Sequence, residues 1–190
     1  EKGVEPSRIM ALTFTKKAAG EMKERIALMV GGRKSWKLCM GTFHSVFIRF
    51  LREFSSSLGY PSSFTIYDTS DSVSAIKACI KELSIDEKVY KPKEVLSRIS
   101  LAKNNLYTAD AYRNNPQLVL KDTASRKPRI CDIYSLYSLR CRQAGVMDFD
   151  DILLNMNILL KNDQDAFSSI ASRFDYILVD EYQDTNFAQY

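Results

Sequence analysis

Three short apolar runs constrain this sequence most: Ile9–Phe14 (IMALTF), Leu38–Thr42 (LCMGT) and Tyr176–Val179 (YILV). Each has the length of a strand and too few polar residues to face water, so each reads as a buried strand. Helical patterns follow the first two. In Lys16–Val30 the apolar residues Ala18, Ala19, Met22, Ile26 and Met29 recur at helical spacing, and Gly31-Gly32 supplies a stop. In Ser45–Phe54 a stripe of Val46, Phe47, Phe50, Leu51 and Phe54 marks an amphipathic helix. Strand, helix, strand, helix in that order implies a parallel sheet with helical crossovers, an α/β fold.

The middle of the chain breaks this rhythm. Ser55–Ser63 is a Ser/Gly/Pro-rich connector, and from about Asp68 to Ala144 the pattern is mainly helical. Asp68 or Ser70 can cap a helix running to Leu83. Pro92 suits a first helical turn, with the helix running to about Asn104. Asn114-Asn115-Pro116 and Lys127-Pro128 predict loops across 114–129, and Ile130–Ala144 is a helix ended by Gly145. The α/β rhythm then returns: helices over Phe149–Leu160 and Gln164–Arg173, then the strand Tyr176–Val179. This divides the chain into an α/β part, 1–54 and 145–190, and a helical insert, 55–144.

Charge is placed unevenly. Residues 1–45 hold nine Lys/Arg against four Asp/Glu, 46–145 hold sixteen against ten, and 146–190 hold two against nine. A basic body suits phosphate neutralisation on a polyanion, and an acidic end suits a divalent cation; charges scattered over a solvated surface are the alternative. The four cysteines, Cys39, Cys79, Cys131 and Cys141, form no C-x-x-C pair, and His44 is the only histidine. They read as reduced thiols of a cytoplasmic protein rather than a zinc site. No run approaches 18 consecutive apolar residues, so no membrane partner is expected.

The third apolar run ends in Asp180-Glu181. Ligands of open parallel sheets bind outside the carboxyl ends of the strands. Adjacent carboxylates on extended chain point different ways, so one can serve Mg²⁺ while its neighbour polarises a water as general base. Many sheets end in Asp-Glu without such a role.

The longer string does more. DEYQDTN, Asp180–Asn186, closely resembles motif II, the Walker B segment, of superfamily 1A DNA helicases of the UvrD/Rep/PcrA kind. LTFTKKAAGEM (Leu12–Met22) resembles that family's motif Ia, GTFHS (Gly41–Ser45) its motif Ib, and MDFDD (Met147–Asp151) its acidic motif before the motif II strand. The matches stand in the family's order from Leu12 to Asn186. The resemblance implies a partial RecA-like sheet of the P-loop NTPase type, carrying an inserted all-helical subdomain. It implies ATP as substrate, Mg²⁺ as cofactor, and 3′-to-5′ movement on single-stranded DNA that separates duplex.

Residue by residue, it gives Asp180 the metal, Glu181 the catalytic base, and Gln183 the coupling of nucleotide state to its neighbours. Thr13, Phe14, Thr15 and Lys17 become one DNA contact; Thr42, Phe43, His44 and Ser45 become a second. The family often has Asn where this chain has Lys16. Read without the resemblance, Phe14 is equally a core residue, His44 a structural hydrogen-bonder, Lys17 a solvated charge, and Asp148, Asp150 and Asp151 a helix cap. No G-x-x-x-x-G-K-[ST] occurs in the 190 residues. The expectation is therefore a piece of a longer chain, with the phosphate cradle before Glu1 and the second motor domain after Tyr190. Two other functions stay open: the helicase part of a RecB- or AddA-like helicase–nuclease, and a DNA-binding module with a decayed motor.

Overall fold

The computed structural model describes residues 3–189. Strand β1 (Ile9–Thr13), helix α1 (Lys16–Val30), the short α2 (Gly32–Ser35), β2 (Cys39–Thr42) and α3 (Phe43–Glu53) alternate as the apolar spacing requires. The last strand, here β5 (Tyr176–Val179), joins them although more than 130 residues separate it from β2. The sheet order is β2-β1-β5 and every pairing is parallel. Met10 to Thr13 lie opposite Cys39 to Thr42, and Ile9 to Leu12 lie opposite Tyr176 to Val179. All three strands therefore end on one edge.

Helices fill the interval: α4 (Thr69–Glu82), α5 (Pro92–Asn104), α6 (Ala109–Arg113), α7 (Pro116–Ala124), α8 (Ile130–Gln143), α9 (Phe149–Asn162) and α10 (Gln164–Ala171). Two further two-residue strands, β3 (Thr65–Ile66) and β4 (Val146–Met147), pair in parallel where the chain enters and leaves the α4–α8 region. The Thr65 N–H donates to the Gly145 carbonyl (3.1 Å), and the Tyr67 N–H to that of Met147 (2.8 Å). Gly145 sits at φ +64°, and a Cβ there would press on the Pro61 ring, so a side chain is excluded twice over.

Two apolar cores meet at β4. Successive strand residues point to opposite faces. Met147 faces a core built on β1, α3, α9 and α10, with Leu12, Val46, Leu51, Ile152 and Met156 at its centre. Val146 faces a second core of Ile76, Ile80, Ile99, Ile133 and Tyr137, drawn from α4, α5 and α8. Tyr60, within the Ser-rich connector, and Phe64, just after it, pack into the first.

The structure departs from expectation in four places. Strand β1 stops at Thr13, one residue before Phe14, and α3 begins at Phe43, because Thr42 is its N-cap. Residues 116–124, read as loop, are helix α7. The Asn-Pro pair that suggested a turn is its start signal: the Asn115 Oδ1 accepts from the N–H groups of Gln117 (3.1 Å) and Leu118 (3.2 Å), and Pro116 sits where no N–H is needed. Met29, expected on the apolar stripe, is 83% exposed, as are its neighbours Leu28 (88%) and Val30 (45%) in the last turn of α1. Finally, β5 is not buried: Ile177 is 62% and Leu178 58% exposed. It is bonded to β1 along one edge only, and α1 leaves a cleft between Ala18, Met22 and Ile26 on the helix and Leu178 and Val179 on the strand.

Candidate nucleotide and nucleic-acid site

The parallel register puts three chain segments side by side at the carboxyl edge. From β1 come Phe14 and Thr15, from β2 come Thr42 to Ser45, and from β5 come Asp180 and Glu181. The Asp180 N–H donates to the Leu12 carbonyl (2.9 Å), so Asp180 extends the ladder one step beyond β5. Its carboxylate is exposed and, among the described residues, meets no hydrogen-bond donor and no cation. Mg²⁺ is commonly held by one or two carboxylates with waters and substrate phosphates completing its shell, and a bare aspartate at a strand end fits that donor set. No group of three or more His, Cys, Asp or Glu side chains suited to a metal exists among the described residues.

Glu181 turns the chain. Its φ of 51° and ψ of 45° are left-handed, a region costly for a residue with a Cβ. The turn starts a short 3-10 helix, Tyr182–Asp184, and the Asp184 N–H returns to the Glu181 carbonyl at 2.9 Å. Gln183 folds back so that its Nε2 donates to the Glu181 carboxylate. Thus Asp180 and Glu181 diverge by backbone geometry, and Gln183 fixes where Glu181 points.

Two helices open at the same edge. Thr15 caps α1, its Oγ1 accepting from the Ala18 N–H (3.1 Å), and Thr42 caps α3, accepting from the Ser45 N–H (3.2 Å). The Ser45 hydroxyl donates to the Thr42 carbonyl (2.9 Å). Gly41 lies beneath this cap, and a Cβ there would collide with the Ser45 Oγ. The positive ends of both macrodipoles therefore face the carboxyl edge, where an anion is favoured.

The expected DNA contacts divide by exposure. Thr15, Lys17 and Ser45 are exposed, and Phe14, Thr42 and His44 are half-buried. Thr13 and Phe43 are each 2% exposed, so their side chains are buried beneath the carboxyl edge. The Phe43 ring packs against Phe14 (centroids 5.4 Å apart) and Phe47 (5.8 Å). Phe14 is thus neither plain core nor free: one face rests on Phe43.

Sequence reasoning missed Phe149. It is 54% exposed, and its ring lies 4.8 Å from that of His44. Its spacing to Ile152, Leu153 and Met156 matches the apolar stripe of α9, so sequence alone assigns it to the core. Only its place in the first turn, between two aspartates, hinted otherwise. Burial lowers the His44 pKa, outweighing a hydrogen bond to the Phe149 backbone and the nearby charge of Asp150.

The acidic motif has a structural task. Asp148 and Asp151 form a reciprocal capping box at the start of α9. Lys103, 1% exposed, reaches from α5 to both, at 2.6 Å from Asp148 and 2.7 Å from Asp151, and the Tyr137 hydroxyl donates to Asp148 at 2.8 Å. Burial pushes all three toward neutrality, yet the mutual attraction holds Lys103 charged and Asp148 below its usual range, while Asp151 is pushed up to about 6. Asp150 instead accepts from Asn104 (2.8 Å).

The model of the UvrD/REP helicase N-terminal domain matches residues 1–190 of this chain. The chain belongs to that family. Relatives include the ATP-dependent DNA helicase PcrA of Staphylococcus aureus, 38% identical over 191 residues, which cover 100% of this chain and 25% of the relative. The ATP-dependent DNA helicase UvrD1 of Mycobacterium leprae is 39% identical over 194 residues, 100% of this chain and 24% of the relative. The PcrA of Leuconostoc citreum is 35% identical over 185 residues, 97% and 24% respectively. The chain thus spans about a quarter of the length of these relatives. Among the described residues of this UvrD/REP-type chain, no helix is long and apolar enough to cross a membrane.

Proposed function

We propose that this chain is part of an ATP-dependent 3′–5′ DNA helicase, a cytoplasmic motor that couples ATP hydrolysis to movement along single-stranded DNA. In this reading 1–54 and 145–190 are part of a RecA-like motor domain and 55–144 is its helical insert. The β3–β4 pair supports the division, since it ties the insert's two ends together with backbone hydrogen bonds.

One observation carries the reading: the nucleotide-side carboxylates and the exposed DNA-side groups share the carboxyl edge of one three-stranded sheet. Asp180 would hold Mg²⁺, which when bound neutralises charge between the phosphates of ATP. Glu181, held by Gln183, accepts a proton from the attacking water. The N-termini of α1 and α3 favour phosphates of the strand, and Phe14 and the His44–Phe149 pair offer rings to its bases. Base–ring stacking tolerates any base, as a motor walking along DNA requires.

Glu181→Gln in the full-length polypeptide tests this. The change keeps size and removes the base, so turnover is expected to fall about 10²–10⁴-fold while nucleotide and DNA binding persist. ATPase activity within a few-fold of wild type removes Glu181 from the mechanism.

A further inference from the structure

The last turn of α5 grips the start of α9 with two consecutive residues. Lys103 does so through the buried charges of Asp148 and Asp151. Asn104 does so through its amide, which donates to the Asp150 carboxylate, and of the two it is the one that also reaches the segment that follows Glu181. Its Nδ2 donates to the Asp150 Oδ1 (2.8 Å) and to the Ser100 carbonyl (2.9 Å), while its Oδ1 accepts from the Asn186 Nδ2 (2.8 Å). Asn186 is itself braced, its Oδ1 accepting from the Gln189 N–H (3.0 Å) and its own N–H donating to the Gln189 Oε1 (3.1 Å).

Both ends of this chain of bonds lead to groups already described. Asn186 stands five residues after Glu181, across the 3-10 turn whose Gln183 holds the Glu181 carboxylate. Asp150 is the neighbour of Phe149, whose ring rests on His44. We propose that Asn104 is a positioning residue that couples the DNA-side His44–Phe149 pair to the nucleotide-side Asp180–Glu181 turn. This deepens the helicase reading and rests on it.

The two grips differ in kind. A buried ion pair is expensive to break, so Lys103 makes the α5–α9 joint rigid. Half-buried amide–amide bonds exchange with water at small net cost, so Asn104 can release and retake Asn186 as the turn moves. A displacement of the α9 start on DNA binding would shift Asp150, hence the Asn104 amide, hence Asn186.

The experiment compares ATP turnover of the full-length polypeptide with and without an oligo-dT strand, in wild type, Asn104→Ala, Asn186→Ala and the double variant. For Asn104→Ala, which lies outside the Asp180–Asn186 string, the expected result is basal turnover within two-fold of wild type, with DNA stimulation reduced by a factor in the ordinary coupling range of about 5–150. Both single variants should lose the same stimulation, and the double variant should lose no more than either, because one joint is broken in each. Thermal midpoints near wild type would separate this from unfolding. If Asn104→Ala fails to fold, Asn186→Ala reads the same joint from the loop side. Full stimulation in a folded single variant overturns the coupling, as does an additive loss in the double variant. A wild type with ATPase activity that DNA does not stimulate overturns the coupling and leaves ATP hydrolysis standing. A wild type with no ATPase activity overturns the helicase reading itself.

Discussion

At the residue scale, His44 shows how a site can be read by its neighbours. As the sole histidine, it gives an unambiguous proton NMR titration. Burial lowers its pKa from 6.5, so the neutral ring is present at pH 7. The unfolded chain therefore takes up the proton first as pH falls. Stability is lost from about the unfolded pKa downward, and the loss stops once the native ring protonates. The midpoint is expected below 6.5, and Phe149→Ala should raise it by letting water reach the ring. A native midpoint at or above the ordinary value, or no change in the variant, contradicts the packed pair. That Asp180 and Glu181 close a strand was legible from the string alone, because a strand end and two acids are local facts. Phe149 was not, because helical spacing cannot tell a core residue from a ring that overhangs another element.

At the scale of elements, α9 depends on charges that come from elsewhere. Its capping box was readable as three aspartates before an apolar helix. The partner, Lys103, lies 45 positions earlier than Asp148 and looked like any surface lysine in a helical pattern. Lys103→Met would leave two acids facing each other without a cation in a buried site. Breaking a buried pair in this way costs about 3–5 kcal/mol, or a drop of roughly 6–20 °C in Tm for a chain of this size. Adding Asp148→Asn and Asp151→Asn to Lys103→Met removes the orphaned charges, and much of the loss should be recovered. Calorimetric melting of the three proteins checks this. A single variant that melts with wild type means the acids are solvated after all.

At the scale of the whole molecule, the proposed motor would find only part of an ATP site in this chain. In that proposal Asp180 and Glu181 would hold a metal and activate water, but the sequence contains no Gly-rich loop with a lysine to cradle phosphates. The purified 190-residue chain is therefore expected to release no phosphate from Mg·ATP above a blank, with or without DNA. Steady turnover by this chain would mean that the phosphates are held by groups not identified above.

What the sequence determined by itself was local: strand-length apolar runs, helical stripes, capping residues near 68–70 and 148–151, and the acids that close the last run. These follow from periodicity and from chemistry within a few residues, which a single pass along the chain can see. The tertiary structure alone decided the rest. It set β5 beside β1 across more than 130 residues, left that strand's faces open, and buried the side chains of Thr13 and Phe43. It also brought Lys103 and Asn104 to the start of α9. Pairing, exposure and burial of charge depend on which distant segments share a surface, and no local pattern encodes that choice.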